Sequence, residues 1–369
     1  MILKKIRSRT AVITALNILS LILSISFFIS AHILSSSQKT QFSAEKWTAY
    51  KSSMSHSQLS AFFSSDAEFT TDSLEMVRSI ISEEISNASI KPKDNSRCWY
   101  DSYYSRIGKL SAKGTVLGNK ECEINAVNGD FFMLHNFKLI DGAFFADNDI
   151  TQDYAVIDDN TAWLLFGSSD VAGMSLTVND IDFYVSGVIE RPKSKSEIKN
   201  YGDTPRIYIS YDGATAVTGD KYSDISCYEA ILPEPVKDFS YKAFKKALDS
   251  YIENTVIVKN TNRFSFDKRL KAIKNISSCV AAKKPVIYPW WENAARTAEF
   301  KLSFIYLAAV LSLIIPILTL VILLIKLFKL YKKYKQIMLN KLSDLIDKIK
   351  TRKYRKEHLH SDNTNNNNT

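Results

Sequence analysis

The stretch that decides the fold is Asn128–Pro192, NGDFFMLHNFKLIDGAFFADNDITQDYAVIDDNTAWLLFGSSDVAGMSLTVNDIDFYVSGVIERP. It reads in order as a strand end, an aromatic turn, an acidic loop, a short strand, a short helix and a hairpin. The spacing predicts the strand at Tyr154–Ile157 and the helix at Asp159–Phe166. Asn179 and Asp180 separate two alternating apolar runs, which predicts a β-hairpin. This mixture of helix and strand indicates the α+β class.

The polar segment around this stretch carries the same mixture of elements. Capping signals and helical spacing predict helices capped at Asp72 and at Ser240, and a basic helix over Phe266–Ile276. Apolar runs bounded by turn residues predict strands at Ser57–Ser64, Arg206–Ser210, Cys227–Leu232 and Thr255–Val258. We therefore expect two strand–helix–strand halves around an all-β centre.

Two uncharged runs flank the polar segment. Ala11–Leu34 and Leu302–Ile325 each exceed the roughly 18 apolar residues that suggest a membrane span. A cleaved signal peptide is the alternative for the first run. That run is long for a signal sequence, and no clean small-x-small site follows it, so we favour an uncleaved anchor.

Charge is distributed unevenly along the chain, whose formal net charge is +9. The residues before the first run carry +4, and the residues after the second carry twelve basic and four acidic side chains, or +8. The middle keeps 32 basic and 35 acidic side chains, or −3. Because basic flanks stay on the cytoplasmic side, we expect a two-pass cell-membrane protein with both termini in the cytoplasm and the middle outside. The predicted division is a cytoplasmic N-terminus (1–10), a transmembrane helix (11–34), an extracellular core domain (35–301), a second transmembrane helix (302–325), a basic amphipathic cytoplasmic helix (326–350) and a disordered tail (351–369).

Features of the spans predict how they pack. Ser20, Ser24 and Ala31 lie roughly on one helix face, which predicts close packing against another helix; the serines can equally bond to their own helix. Pro316 interrupts the second span, which predicts a kink or a hinge. The run Tyr288–Trp291 precedes that span, so its aromatic rings suit the membrane interface and its proline suits a helix start.

The segment Lys326–Lys350 reads as a basic amphipathic helix. Such a helix can lie on anionic membrane lipid or dock on a cytoplasmic partner, and we favour lipid. The basic chain ends are explained by their position next to the membrane, so no nucleic-acid partner is expected.

The four cysteines, Cys98, Cys122, Cys227 and Cys279, all fall in the middle segment. An even count outside the cell permits two disulfides in three pairings. We expect Cys98–Cys122 and Cys227–Cys279, because each pair lies within one half of the segment. Four buried thiols are the alternative. No C-x-x-C spacing indicates a metal site.

Catalytic motifs are missing from this sequence. It has no G-x-x-x-x-G-K-[ST] loop with which to hydrolyse ATP, and no G-x-S-x-G or H-E-x-x-H motif. Six aspartates crowd the central stretch without EF-hand spacing, and turn and cap roles explain them better: Asp141, Asp147, Asp149, Asp153, Asp158 and Asp159. No enzymatic activity, cofactor or metal site is therefore expected.

Several motifs of the central stretch resemble the periplasmic core domain of MacB-type ABC permeases. They are Asn128–Phe132, Leu139–Phe145, Asp149, Ala155–Gly167, Asp170–Met174 and Tyr184–Ile189. The later run Tyr288–Arg296 looks like a feature of two-span Gram-positive permeases of this kind. The family-motif residues on which the resemblance rests are Gly129, Phe131, Phe132, Gly142, Phe145, Asp149, Phe166, Gly167, Gly173, Gly187 and Val188.

The resemblance to this MacB/FtsX-type family implies an α+β ectodomain between two transmembrane helices, with porter-like βαβ halves and an inserted β-rich lobe. It implies a non-catalytic, permease-like membrane subunit of an ABC-type export or envelope-sensing system, which couples a partner ABC ATPase to its extracellular domain. Family permeases have four spans and a cytoplasmic E-I-G-x-x-x-A-x-G-like segment, which Lys326–Lys350 does not show. A four-span FtsX-type permease is therefore a further candidate partner. The alternatives are a stand-alone membrane-anchored sensor or binding module without an ATPase and, with least support, an extracellular hydrolase.

Overall fold

The computed structural model describes residues 2–51, 54–91, 97–273 and 286–365. They form two compact units, one of residues 29–307 and one of the two chain ends, up to Phe28 and from Ala308. The described α-helices are α1 Ile2–Ser36, α2 Ser43–Lys51, α3 Thr71–Asn87, α4 Phe131–His135, α5 Asp159–Phe166, α6 Lys195–Tyr201, α7 Tyr211–Thr218, α8 Phe239–Ala247, α9 Phe266–Ile273, α10 Trp290–Ser312 and α11 Ile314–Asn365. The described strands are β1 His56–Phe63, β2 Tyr100–Gly114, β3 Gly118–Gly129, β4 Leu139–Gly142, β5 Tyr154–Asp158, β6 Ser175–Val178, β7 Ile181–Ile189, β8 Arg206–Ile209, β9 Cys227–Pro233 and β10 Thr255–Lys259.

All ten of these strands join one mixed sheet in the unit of residues 29–307. The strand order is β10-β1-β9-β2-β3-β8-β5-β7-β4, and β6 pairs with both β2 and β7. Only β3–β8 and β5–β7 are parallel among these pairs. The long β2–β3 hairpin joins the two halves, because β2 pairs with β9 and β3 with β8. The expected α+β class is confirmed, and the two halves share one continuous sheet.

Both faces of the sheet are covered, because alternate residues of a strand point to opposite faces. On β8, Ile207 and Ile209 enter a large aliphatic core, whereas Tyr208 enters an aromatic core on the other side. The helix predicted after Asp72 is confirmed as α3, and its four periodic apolar residues are all buried in the aliphatic core: Leu74, Val77, Ile81 and Ile85.

The central stretch folds largely as its sequence predicts. The helix over Asp159–Phe166 is confirmed, and the Asp158 side chain caps it by accepting a hydrogen bond from the Thr161 backbone N–H at 2.8 Å. The predicted hairpin is also confirmed: Asn179 and Asp180 have φ of 49° and 66°, as a type I′ turn requires.

Four short helices were not predicted, and the first of them is α2 after the first span. The aromatic turn contains α4, which has only five residues. The loop after β7 contains α6, whose cap Ser194 accepts a hydrogen bond from the Glu197 backbone N–H. The Ser-x-x-Glu spacing of these two residues is the sequence signal from which this helix could be predicted. Helix α7 follows β8 directly, capped by Ser210. Two predicted caps are wrong by two residues, since the cap of α3 is Thr70 instead of Asp72 and that of α8 is Asp238 instead of Ser240.

The predicted Cys98–Cys122 disulfide is wrong, because both side chains are free thiols. Cys122 on β3 lies opposite Leu110 on β2, whereas Cys98 precedes the start of β2. Ten residue steps of β2, from Tyr100 to Leu110 and roughly 33 Å long, therefore lie between Cys98 and the position that faces Cys122, far beyond the about 7 Å limit for bridged Cα atoms. Cys227 is also a free, buried thiol, and its predicted partner Cys279 lies outside the described residues.

Two helical segments, Thr10–Ser36 and Trp290–Thr351, are long and apolar enough to cross a membrane. In the unit of the chain ends, Ser24 is buried and its hydroxyl donates to the Ala309 carbonyl at 3.2 Å, which confirms the predicted packing of the first span on another helix. The second segment is interrupted at Leu313, between α10 and α11. Pro316, three residues later, has no backbone N–H to donate, which explains the interruption. Helix α11 extends beyond Lys350 into the segment for which a disordered tail is predicted.

The free thiols can be tested with Cys98→Ser in the full chain under non-reducing conditions. The free energy of unfolding is expected to change by less than about 1 kcal/mol, because no bridge is removed, whereas loss of a native disulfide costs about 2–5 kcal/mol. Thermal unfolding with and without reductant measures this. A linked Cys98–Cys122 peptide in a non-reducing digest would contradict the structure.

Candidate functional site at the start of helix α10

Helix α10 begins inside the core of the folded unit. Trp291 is 1% exposed and packs edge-on against Tyr104 and Phe131, with ring centroids 4.9 and 5.8 Å apart. Trp290 is also buried and lies edge-on to Tyr201 at 5.0 Å. The prediction of a membrane-interface role for these rings is therefore wrong. Each large aromatic ring buries about 150–250 Å² of surface, so the core gains more from them than the interface would.

The aromatic core around Trp291 is built from the central stretch. Phe131 and Phe132 of α4 enter it, and Phe132 stacks on Phe144 at 4.7 Å and meets Phe145 edge-on at 5.1 Å. Tyr208 of β8 completes the wall. Three aromatic residues of the family motif, Phe131, Phe132 and Phe145, are thus brought together in one core with Trp291 in the first turn of α10.

A buried ion pair fixes the same turn of α10. The Arg263 guanidinium donates to both carboxylate oxygens of Glu292, at 2.6 and 2.8 Å, and both side chains are almost fully buried. Arg263 also donates to Glu299 at 2.9 Å. Burial alone would lower the pKa of Arg263, but Glu292 and Glu299 raise it above its usual range, so it stays charged. We call Arg263, Trp291 and Glu292 the α10 anchor.

A chain of polar side chains leads from the anchor into the sheet. Arg263 lies 3.3 Å from the Asn260 side-chain oxygen, and Asn260 donates to the Ser60 hydroxyl at 2.7 Å. Ser60 donates to Glu229 Oε1 at 2.5 Å. The other oxygen of Glu229 lies 2.8 Å from His135 Nε2, at ion-pair distance without hydrogen-bond geometry.

This series of polar contacts returns to the α10 anchor, because the His135 ring lies 4.3 Å from the Trp291 ring. The residues of this chain are buried on β1, β9 and α4 and in the loop after β10. Removing one member of a buried polar network leaves its partners unsatisfied. The start of α10 is therefore tied to two central strands by charge and by packing.

Small side chains continue the contact along α10. Ala295 and Ala298 are fully buried with Phe264 and with Ala31 of α1. Small residues allow helix backbones to approach closely. The last turns of α1 and the first turns of α10 are thus held together within the same unit.

The family model for the MacB-like periplasmic core domain matches residues 14–260 of the chain. The chain belongs to this family. The match ends before Arg263, so the α10 anchor lies outside the matched residues. The predicted MacB-like core is confirmed.

Other similarities cover less of the relatives or are weaker. The chain is 37% identical over 102 residues to "Macrolide export ATP-binding/permease protein MacB" of Haemophilus ducreyi, covering 27% of this chain and only 14% of that protein. The extracellular domain of the noncanonic ABC-type transporter YknZ from Gram-positive bacteria is 16% identical, with a TM-score of 0.38 over 55% of this chain and 99% of that one. The periplasmic region of MacB from Actinobacillus actinomycetemcomitans is 14% identical, with a TM-score of 0.39 over 59% and 92%.

The remaining motif residues of the MacB-like core shape the backbone and do not gather in one pocket. A Cβ at Gly142 (φ 70°) would overlap the Ser186 carbonyl, and a Cβ at Gly187 would lie 2.6 Å from the Ala143 carbonyl oxygen, so β4 and β7 can approach only with glycine at both positions. The others lie in turns, caps and the core: Gly129, Gly167 and Gly173 at positive φ, Asp149 accepting from the Ala146 N–H, and Phe166 and Val188 in the aliphatic core.

Most aspartates of the central stretch have structural roles, as predicted for turns and caps, whereas the buried Oδ1 of Asp153 has no hydrogen-bond partner among the described residues. Asp141 accepts from the backbone N–H groups of Val171 and Ala172, both at 2.8 Å, and Asp147 accepts from that of Gly129. Within the described part of the chain, no group of three His, Cys, Asp or Glu side chains is placed to hold a metal ion.

Replacing the anchor tryptophan tests its packing. Trp291→Ala is expected to lower the free energy of unfolding by about 3–5 kcal/mol, because it empties a large buried site. Trp163→Ala is the matched control, since Trp163 is 58% exposed on α5, and its effect should stay within about 0.5 kcal/mol. Thermal unfolding of the full chain in detergent measures both. Equal effects would contradict burial of Trp291.

The acid dependence of stability tests the ion pairs. Burial alone would raise the pKa of Glu299, but Arg263 and Arg269 hold it below its usual range. A lowered folded-state pKa adds stability that is full above about pH 4.3, the pKa of an unperturbed glutamate, and is lost as pH falls through the folded value. Glu299→Gln should therefore cost about 1–3 kcal/mol at pH 7, and progressively less below pH 4. Unfolding midpoints across this pH range measure the difference. If the difference in stability between wild type and Glu299→Gln grew as the pH fell, the lowered pKa of Glu299 would be contradicted.

Proposed function

We propose that the chain is a non-catalytic, permease-like membrane subunit of an ABC-type export or envelope-sensing system. In this proposal it couples the movements of a partner ATPase to its extracellular domain. The observation that carries the proposal is the α10 anchor, together with membership of the MacB-like core family. A helix long and apolar enough to enter a membrane begins with two tryptophans and a paired glutamate inside the core. Such a helix cannot shift along its axis without disturbing the sheet.

The proposed topology has two spans, 11–34 and 302–325, with both termini in the cytoplasm and residues 35–301 outside the cell. The basic ends and the slightly acidic middle support it. Fusion of cytoplasm- and exterior-specific reporters to the two termini and to the exposed β2–β3 turn at Val116 tests it. Reporters that place the termini on opposite sides would overturn the proposed topology.

The ATPase is proposed as a separate protein. The H. ducreyi relative is named as an ATP-binding/permease protein, but this chain covers only 14% of it. The sequence of this chain contains no phosphate-binding G-x-x-x-x-G-K-[ST] loop. A four-span FtsX-type permease is a further proposed partner.

Helix α11 is the proposed cytoplasmic contact. Its large apolar side chains, including Leu327, Leu330, Tyr334, Ile337 and Leu345, are exposed, and lysines alternate with them. An apolar stripe edged with lysines suits an amphipathic helix that docks in a partner groove or lies on anionic lipid. Residues 326–350 are the proposed basic amphipathic helix, and 351–369 the proposed tail.

Affinity purification of the full chain from its native membranes tests the proposed partner. An ABC ATPase is expected to copurify with the wild type. The surface of the ATPase that meets this lysine-rich helix is proposed to be acidic. Lys332→Glu, Lys333→Glu and Lys335→Glu together should then reduce its recovery about tenfold or more, because like-charge contacts at an interface cost several kcal/mol.

The matched control carries three charge reversals on the exposed β2–β3 hairpin, Lys109→Glu, Lys113→Glu and Lys120→Glu, and should recover the ATPase normally. Absence of any ATPase from the wild-type preparation would overturn the proposal and favour the stand-alone sensor. If both triple variants lost the ATPase equally, α11 would not be the part of the chain that contacts it.

A further inference from the structure

A cavity of about 580 Å³ lies beside the start of α10. One wall is apolar, formed largely by Tyr104, Ile287, Tyr288 and Trp290. Its volume falls within the about 300–1,000 Å³ of typical ligand sites. The cavity lies within the unit of residues 29–307, and the α10 anchor does not fill it.

Another part of the lining is charged. Glu123 lies between two arginines: one oxygen is 2.9 Å from Arg106 Nη2 and the other is 2.8 Å from Arg206 Nε. Two guanidinium groups face one carboxylate, so this wall carries a net positive charge. Arg206 is buried and its guanidinium lies 3.8 Å over the Tyr201 ring. A partly dehydrated arginine with excess positive charge attracts an anion.

Two residues that line the cavity, Arg206 and Trp290, each carry a buried donor atom that lacks an acceptor in the described part of the chain. Among the described residues, neither Arg206 Nη1 nor Trp290 Nε1 has a hydrogen-bond partner. A buried donor left unsatisfied costs about 1–3 kcal/mol, and more when it is charged. Native structures therefore leave few such groups without a partner. One donor lies on the charged wall and the other at the apolar wall.

We propose that this cavity binds a small monocarboxylate with an apolar body. The carboxylate oxygens would accept hydrogen bonds from the unpartnered Arg206 and Trp290 donors, and the net positive charge beside Glu123 would balance one negative charge. The apolar body would lie against Ile287 and Tyr288. Because Trp290 precedes the anchor residue Trp291, the ligand would contact the first turn of α10. The site does not depend on an ATPase, so its test is separate from that of the proposed function.

Binding is tested with the full chain in a zwitterionic detergent. Phenylacetate and phenylbutyrate are the anionic probes, and phenylethanol is the uncharged control of similar size. Saturation-transfer NMR and titration of tryptophan fluorescence follow binding. The carboxylates are expected to bind saturably, and phenylethanol at least about tenfold more weakly.

A charge change at the mouth of the cavity distinguishes binding in the cavity from binding to the detergent or to another part of the protein surface. Ile287 is 79% exposed, so its replacement should leave the fold intact. Ile287→Glu should weaken carboxylate binding at least about fivefold more than Ile287→Gln, because both replacements remove the same apolar contact and only the glutamate adds a repelling charge. Val236→Glu, an exposed position outside the cavity, is the distant charge control.

Arg206→Lys keeps the positive charge and removes the guanidinium donors, so it should also weaken binding, provided that its unfolding midpoint shows a folded protein. Binding that is absent for both carboxylates, equal for phenylethanol, or equal in Ile287→Glu and Ile287→Gln would overturn the proposal.

Discussion

The architecture depends on a glutamate placed inside a protein core at the first turn of a hydrophobic helix. A buried carboxylate is costly unless a charged partner meets it with good geometry. Arg263 meets Glu292 with two hydrogen bonds, at 2.6 and 2.8 Å. Truncating one partner of such a pair costs about 3–5 kcal/mol because it strands the other charge. The pair therefore fixes where α10 begins, and the loop after β10 has to reach that point.

Packing and polar contacts reinforce this constraint in different ways. Trp291 fills the aromatic core that the central stretch builds, and apolar burial has no preferred direction. Hydrogen bonds from Arg263 through Asn260 and Ser60 to Glu229 do have direction, so they set the orientation of the helix against β1 and β9. A helix held by both cannot rotate or slide without breaking contacts in the sheet. The proposed coupling role requires this property.

The sequence predicts features that depend on neighbouring residues and misses those that depend on distant ones. The helix at Asp159–Phe166 and the turn at Asn179 were found because the capping aspartate and the turn residues are local signals. The tryptophans of α10 were placed at the membrane interface because the span follows them directly. Their burial depends on Phe131, some 160 residues earlier in the chain. The predicted Cys98–Cys122 disulfide was wrong for a similar reason. The two cysteines are close in sequence, but the register of β2 against β3 places Cys122 opposite Leu110.

Hydrogen exchange of the full chain, followed by mass spectrometry, tests the central claim most directly. If the anchor makes the start of α10 part of the sheet, the amides of residues 291–299 will exchange through the same cooperative opening as those of β1 and β9. Trp291→Ala should then release the helix amides at a lower free energy than the strands. Fast exchange of residues 291–299 in the wild type, with β1 and β9 still protected, would contradict the account.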